Sequence, residues 1–196
     1  MSQQIILPLI IFIFYILFCI GIFYLVHHYL NSLISRKILH LLTYGCWIIY
    51  LSFIDLGFSI YILAICCCVI TNIGVLFLSI QQKRLDIIVY GLILLFCVID
   101  KEHSFENTIR LSILCFADGM APVVAMIFHK INCRISHYNN KTIFGSLTVF
   151  VITLTILLLG NFSLANSFFI AILVTYIEYI CIYDNLAIFL LLLFLI

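Results

Sequence analysis

Long runs of apolar residues, separated by short polar clusters, occupy most of the chain. A helix needs about 20 mainly apolar residues to cross a bilayer, whereas the strands of a membrane barrel would alternate polar and apolar side chains. These runs do not alternate, so the pattern predicts helices. The seven runs predicted to span a membrane are residues 5–26, 38–54, 58–80, 87–99, 109–128, 143–160 and 165–182.

The last apolar run, residues 186–196, is shorter. Its length corresponds to a rise of only about 16 Å as a helix, which predicts a half-span or a packed tail. The expected fold class is therefore an all-α polytopic integral membrane protein, with about seven transmembrane helices and a short C-terminal apolar segment. One transmembrane domain covers residues 1–196, and no separate soluble domain fits.

The composition excludes an ordinary soluble domain. Of the 196 residues, 66% are hydrophobic and 9% are charged, against about a quarter charged in globular proteins. The mean hydropathy of +1.34 also excludes disorder, which needs low hydrophobicity and high charge. A net charge of +1 gives no indication of a nucleic-acid partner.

The basic residues predict how the chain crosses the membrane. The loops after the first, third and fifth predicted spans hold seven of the 9 Lys and Arg residues, and those after the second and sixth hold none. Cytoplasmic loops are enriched in Lys and Arg. The N-terminus is therefore predicted to lie outside, with the loops near 27–37, 81–86 and 129–142 in the cytoplasm.

Asp118 is the first candidate for chemistry, because it lies midway along the fifth predicted span. A carboxylate at the centre of a span costs about 2.5–3.5 kcal/mol, so such residues usually serve function. Pro122 lacks the N–H that would bond the Asp118 carbonyl, so the helix is expected to kink or open there. The alternative is a kinked helix whose Asp118 is neutralised by a neighbouring side chain.

Glu178 and Asp184 are two further acids, near the end of the seventh predicted span. Together with Asp118 they predict an oxygen-rich cation site, because magnesium takes carboxylate, carbonyl and water ligands. Asp184 followed by Asn185 is equally consistent with an ordinary turn at a helix end.

Basic residues at the predicted cytoplasmic face form a second element. Arg36, Lys37 and His40 are three or four positions apart and can share one helix face. Positive-inside topology alone would explain Arg36 and Lys37, but it does not explain His40, which lies inside the apolar run.

The third element, Lys141-Thr142-Ile143-Phe144-Gly145-Ser146, leads into the sixth predicted span. Lysine, hydroxyl groups, glycine and a helix N-terminus suit a phosphate group, because the free N–H groups and the helix dipole favour an anion. The spacing of a P-loop is absent, and ordinary helix capping remains the alternative.

The order of these motifs resembles the polyprenol kinase family, which includes phytol kinase, dolichol kinase and the CTP-dependent diacylglycerol kinase and is related to phosphatidate cytidylyltransferases. The resemblance runs from residue 36 to about residue 189. The matching motifs are Arg36-Lys37-x-x-His40, Ala117-Asp118-x-x-Ala121, Lys141-Thr142-x-x-Gly145-Ser146, and Glu178 followed by Asp184-Asn185-Leu186. The departures are Phe144 for an acid, Ala125 and His129 for glycines, and Phe189 for a proline.

The resemblance implies a kinase that uses CTP or another nucleoside triphosphate with Mg²⁺ to phosphorylate a lipid alcohol such as phytol, farnesol or a polyprenol. The nucleotide would arrive from the cytosol and the alcohol from the bilayer. The implied catalytic residues are Asp118, Lys141 and His40; the implied substrate-binding residues are Arg36, Lys37, Thr142, Gly145, Ser146 and Asn185; the implied metal ligands are Asp118, Glu178 and Asp184.

Two alternatives remain open from the sequence. One is a cytidylyltransferase-like enzyme, which would release pyrophosphate rather than a nucleoside diphosphate. The other is a non-enzymatic membrane protein, either a small transporter or an assembly subunit, whose acids serve ion or proton movement.

Overall fold

The computed structural model describes residue 41 and residues 85–100, 102–128, 141–181 and 184–196. Within these ranges the chain forms five helices and no strand, which confirms the all-α class for this part. The helices are α1 (Leu85–Ile99), α2 (Ser104–Ile127), α3 (Ile143–Leu159), α4 (Leu164–Ile180) and α5 (Asp184–Leu195). The predicted spans at 5–26, 38–54 and 58–80 lie outside the described residues, apart from Leu41.

The lengths of the helices limit which of them can cross a bilayer. Of the described helices, α2 alone, with 24 residues, is long and apolar enough to do so. The helices α3 and α4 have 17 residues each. The helix α5 has 12 residues, or about 18 Å of rise, and packs against α1, α2 and α4. It is therefore a packed terminal helix, one of the two forms predicted for the last apolar run.

The expected opening of the chain near Asp118 is not found. The helix α2 continues without interruption through Pro122, because packing against neighbouring helices can hold the turns around a proline that lacks one hydrogen bond. Close packing is visible at Gly119, where an added Cβ atom would lie 2.7 Å from Cδ2 of Leu41. Asp118 is thus presented from a continuous helix.

The turn between α3 and α4 has a defined local cause. The amide of Phe162 donates to the carbonyl of Leu157 at 3.1 Å, and the amide of Asn161 donates to the carbonyl of Leu158 at 3.1 Å. This is the Schellman pattern, and Asn161 has the positive φ of 62° that it requires. Ser163 then caps α4 by accepting from the amide of Asn166. The result is a tight hairpin of two helices.

The apolar core lies between all five described helices. Its fully buried side chains include Cys97 and Val98 of α1, Leu111, Ile113 and Leu114 of α2, Val149 and Leu157 of α3, Val174 of α4, and Leu192 of α5. Two hydroxyl groups, on Thr153 and Ser167, are also buried and have no hydrogen-bond partner.

A polar network lies where α2 begins, and we call it the Arg110 cluster (Asp100, His103, Asn107 and Arg110). Arg110 is 4% exposed and donates to Oδ1 of Asn107 at 2.7 Å and to the carbonyl of Leu192 at 3.4 Å. Asn107 donates in turn to Asp100, which also bonds His103. These bonds allow α2 to begin at Ser104, five residues before the predicted run.

Candidate functional site

Polar side chains from α3, α4 and α5 meet at one end of these helices, and we call them the Lys141 cluster (Lys141, Ser146, Glu178 and Asp184). Nζ of Lys141 donates to Oε1 of Glu178 at 2.5 Å and to Oδ2 of Asp184 at 2.7 Å. Oγ of Ser146 donates to Oε2 of Glu178 at 3.5 Å. One ammonium group therefore bridges two carboxylates.

The positions of these side chains follow from local structure. Thr142 is the N-cap of α3, and its Oγ1 accepts from the amide of Gly145 at 3.2 Å. The amide of Ser146 donates to the carbonyl of Thr142 at 3.0 Å. An added Cβ at Gly145 would lie 2.9 Å from Oγ1 of Thr142, so glycine permits this tight cap. The cap fixes Lys141 one residue before it.

Thr142 therefore serves the ordinary helix capping that was the alternative to phosphate binding. The amides of Gly145 and Ser146 already donate to Thr142. Lys141 and the hydroxyl of Ser146, rather than those two amides, are the groups that can meet an anion at this end of α3.

The Lys141 cluster is largely shielded from solvent. The side chains of Lys141, Glu178 and Asp184 are 18%, 11% and 21% exposed. Burial alone would lower the pKa of Lys141, but the charges of Asp184 and Glu178 and the hydrogen bonds to both outweigh burial and raise the pKa. Lys141 is therefore a permanent cation, and the cluster of one cation and two carboxylates has an excess of acceptor groups.

A small cavity lies beside the cluster. Asp118, Glu178, Asp184 and Asn185 line it, together with apolar side chains from α2, α3, α4 and α5. Its volume is about 10 Å³, close to the space that one water molecule needs. Oδ1 of Asn185 is buried and has no hydrogen-bond partner. The cavity thus brings three carboxylates and an amide oxygen that lacks a donor to one place.

These oxygen atoms are suitable ligands for a hard cation such as Mg²⁺. Mg²⁺ is usually held by one or two carboxylates and by substrate oxygens rather than by a complete protein cage. Within the described ranges, no three His, Cys, Asp or Glu side chains are close enough to hold a metal by themselves. Glu178 and Asp184 share Lys141 instead. Asp118 and the Asn185 amide are the oxygen donors at the cavity that Lys141 does not bridge.

The structure thus brings together candidates that lie far apart in the sequence. Those in the described residues, all at this end of the helices, are Asp118, Lys141, Thr142, Gly145, Ser146, Glu178, Asp184 and Asn185. Arg36, Lys37 and His40 lie outside the described residues.

Two of the departures from the family pattern have packing partners. Phe144 stacks on Phe128, with ring centroids 5.0 Å apart and planes 15° apart. Phe189 is 4% exposed and meets Phe96 edge to face at 5.7 Å. Aromatic contacts of this kind stabilise by about 0.5–1.5 kcal/mol beyond area burial, so these positions contribute to packing between segments.

The lysine bridge was not found from the sequence. The residues around Lys141 predicted a phosphate contact and the acids predicted a metal site, but each set was considered separately. The available signal was the charge balance: two acids near the predicted end of one span and a lysine at the start of another, both on the same predicted side of the membrane.

Comparison of the chain with protein-family models, with curated proteins and with solved structures finds no match.

Proposed function

We propose that the protein is a membrane-embedded lipid-alcohol kinase. It transfers the terminal phosphoryl group of CTP, or of another nucleoside triphosphate, to an isoprenoid alcohol such as phytol, farnesol or a polyprenol. The alcohol oxygen bonds to the terminal phosphorus, the bond to the nucleoside diphosphate breaks, and the hydroxyl proton passes to cytosolic water.

One observation carries this proposal: the Lys141 cluster adjoins a cavity lined by Asp118, Glu178, Asp184 and Asn185. Phosphoryl transfer depends mainly on positioning and on neutralising charge by a metal and by Lys or Arg. The site combines a permanent cation with oxygen donors in excess. The lysine can contact a phosphate oxygen and the acids can hold a cation, so the site suits a nucleotide bound together with its counter-cation better than a nucleotide or a cation by itself.

The proposed roles follow from the bonds. Lys141 orients Glu178 and Asp184 and contacts a phosphate oxygen when the nucleotide is present, while Thr142 and Gly145 hold Lys141 in place. Asp118 and Asn185 would hold Mg²⁺, with Glu178 and Asp184 completing the set of acids. Bound there, Mg²⁺ neutralises charge on the phosphates. Arg36, Lys37 and His40 join the nucleotide side of the site by the resemblance to the kinase family.

The proposal includes a multi-pass arrangement. The helices α3 and α4, with 17 residues each, reach the lower end of the range of about 17–25 residues for a spanning helix. With α2 crossing in full, the Lys141 cluster then lies at the cytoplasmic face, as the basic loops predict. Reporter fusions after residues 82 and 136 should read cytoplasmic, and those after 103 and 163 external.

The deciding experiment uses the purified protein in nanodiscs with CTP labelled at either the γ- or the α-phosphate. The acceptor panel is phytol, farnesol, a polyprenol, diacylglycerol and phosphatidate. A kinase transfers the γ-label alone to lipid. A cytidylyltransferase would transfer the α-label to phosphatidate and release pyrophosphate. Absence of both labels from every lipid, with CTP and with ATP, contradicts enzymatic function.

A second candidate, a non-enzymatic transporter or assembly subunit, is favoured by one specific observation. Lys141 already bridges Glu178 and Asp184 without any ligand, as expected for a purely structural ionic contact. In that case neither the wild type nor an Asp118 variant would label any lipid, and nucleotide would not raise the unfolding temperature of either protein.

A further inference from the structure

A groove runs between α3 and α4 on the surface of the protein, and one of its ends meets the Lys141 cluster. It encloses about 550 Å³, within the range of about 300–1,000 Å³ typical of small-molecule sites. We call it the α3–α4 groove. We propose that it binds the hydrocarbon chain of a single-chain lipid alcohol, with the hydroxyl end at Ser146. This inference rests on the proposed function.

The α3 side of the groove connects it to the site. Its lining residues are Ile143, Ser146, Leu147 and Phe150, spaced i, i+3, i+4 and i+7 along one helix face. Ser146 is the polar member, and its hydroxyl donates to Glu178. A chain lying in the groove therefore has apolar contacts along its length and a hydroxyl partner at one end, as an alcohol requires.

The α4 side repeats the same spacing, with Ile172, Thr175, Tyr176 and Tyr179. Because the two helices form a hairpin, Tyr179 lies near the Lys141 end and Ile172 near the other. Phe150, at that far end, meets Phe168 edge to face at 5.4 Å. The groove thus has the hydroxyl of Ser146 at one end and the apolar side chains of Phe150 and Ile172 at the other.

The groove is open along the protein surface. Leu147 on α3 and Tyr176 on α4, which both line it, are 53% and 58% exposed, so a lipid can reach it laterally. One stripe of side chains on each helix forms its walls over seven residues, roughly 10 Å. One chain can lie between two such stripes, whereas diacylglycerol would have to accommodate two chains. The occupant is therefore an alcohol on a single chain.

The test is photolabelling in phosphatidylcholine nanodiscs without nucleotide, using geranylgeraniol that carries a diazirine on its chain. Label should map by mass spectrometry to residues 143–150 and 172–179. Leu147→Trp should reduce labelling about tenfold, the size of effect of a small change in an apolar pocket. The matched control is Leu159→Trp, on the same helix but outside the groove and 78% exposed; it should leave labelling unchanged.

Competition decides the class of lipid. Excess unlabelled geranylgeraniol should abolish labelling and diacylglycerol should not; equal competition by diacylglycerol overturns the single-chain assignment. Labelling spread evenly over exposed residues, or unaltered in Leu147→Trp, overturns the groove. The map of the wild-type protein decides its location even when a variant fails to fold.

The two proposals fail in different ways. Groove labelling without any phosphoryl transfer retains a lipid-alcohol site and removes the kinase. Phosphoryl transfer with label mapped elsewhere retains the kinase and removes the groove.

Discussion

The Lys141 cluster and the Arg110 cluster are both buried polar networks, but they are built differently. The Arg110 cluster uses residues three to seven positions apart and one carbonyl from α5. The buried guanidinium is held by neutral oxygens of Asn107 and Leu192. In the Lys141 cluster, partners are 32 to 43 positions apart, and the acids outnumber the cation.

The difference separates two uses of buried charge. In the Arg110 cluster the acceptors all have donors, so few groups remain to bind a ligand. The role of this cluster is to join α2 to the end of α5. A network with more carboxylates than cations, beside a cavity and a buried amide oxygen without a donor, has groups that can bind a further cation. The comparison therefore favours the Lys141 cluster as the place to test for chemistry and the Arg110 cluster as a structural contact.

Asp118→Asn should have the largest effect. It keeps the shape of the side chain but removes the negative charge at the cavity, so phosphoryl transfer should fall by at least about a hundredfold, the size seen when one electrostatic contact of a transition state is lost. The measurement is a magnesium titration of lipid phosphorylation beside a thermal unfolding scan in detergent. Asp100→Asn, in the Arg110 cluster, is the matched control and should retain activity.

Near-normal activity of Asp118→Asn at the wild-type magnesium midpoint would remove the metal role of Asp118. Misfolding of this variant, with Asp100→Asn intact, would instead identify Asp118 as a structural residue.

Lys141→Ala should have the next largest effect. It leaves Glu178 and Asp184 without their cation, which costs about 2–3 kcal/mol of stability, somewhat less than for a fully buried pair. The neutral triple variant Lys141→Met, Glu178→Gln, Asp184→Asn should regain stability but not activity.

Magnesium sharpens this experiment. Mg²⁺ should raise the unfolding temperature of Lys141→Ala more than that of the wild type, because a ligand of the folded state stabilises by linkage and two carboxylates become available. An equal response of both proteins would contradict cation binding by these acids.

Arg110→Met should have a smaller effect on stability. Oδ1 of Asn107 loses its donor, at a cost of about 1–2 kcal/mol, and the buried charge is removed at the same time. The magnesium midpoint of the proposed lipid phosphorylation should not move, since Arg110 is eight residues, about 12 Å, along α2 from Asp118. A shift of the midpoint would show that the two clusters are coupled.

The smallest effect concerns His103 and Asp100. The hydrogen bond to Asp100 and its charge raise the pKa of His103. Burial of Asp100 opposes the hydrogen bonds from His103 and Asn107, but those bonds lower its pKa overall. The contribution of His103 to folding stability is complete below pH 6.5 and is lost as pH rises through its raised pKa. The contribution of Asp100 to folding stability is complete above pH 3.8 and is lost as pH falls through its lowered pKa.

The pair should thus stabilise most between pH 3.8 and 6.5. Histidine NMR titration of the wild type and Asp100→Asn, with His103→Gln for assignment, checks this. The variant should show a lower His103 pKa; an unchanged pKa would contradict the contact.

The sequence predicts the described helices well, because apolar runs are dictated by burial in lipid or core. The run at 143–160 became Ile143–Leu159, and the short run at 186–196 became α5. It predicts the ends less well where polar residues pair internally, as with Asn107 and Arg110 at the start of α2.

The candidate site was predicted as a set of residues but not as a network. Hydrophobic periodicity does not determine which helix packs on which, so it could not show that Lys141 bridges Glu178 and Asp184. It also could not show that α2 continues as a helix through Pro122, because packing around a proline is a tertiary effect. The α3–α4 groove had no signal beyond the matching i, i+3, i+4, i+7 stripes on two helices.

The lysine bridge also has a consequence for how the protein is made. Lys141 precedes Glu178 by 37 residues and Asp184 by 43, and at about 5–20 residues per second the ribosome adds these some 2–9 s later. In the multi-pass arrangement proposed above, Lys141 is already at the membrane surface when α4 inserts. Glu178 then leaves water at a place where its cation is present, whereas Asp118, which precedes Lys141 in the chain, enters without that cation.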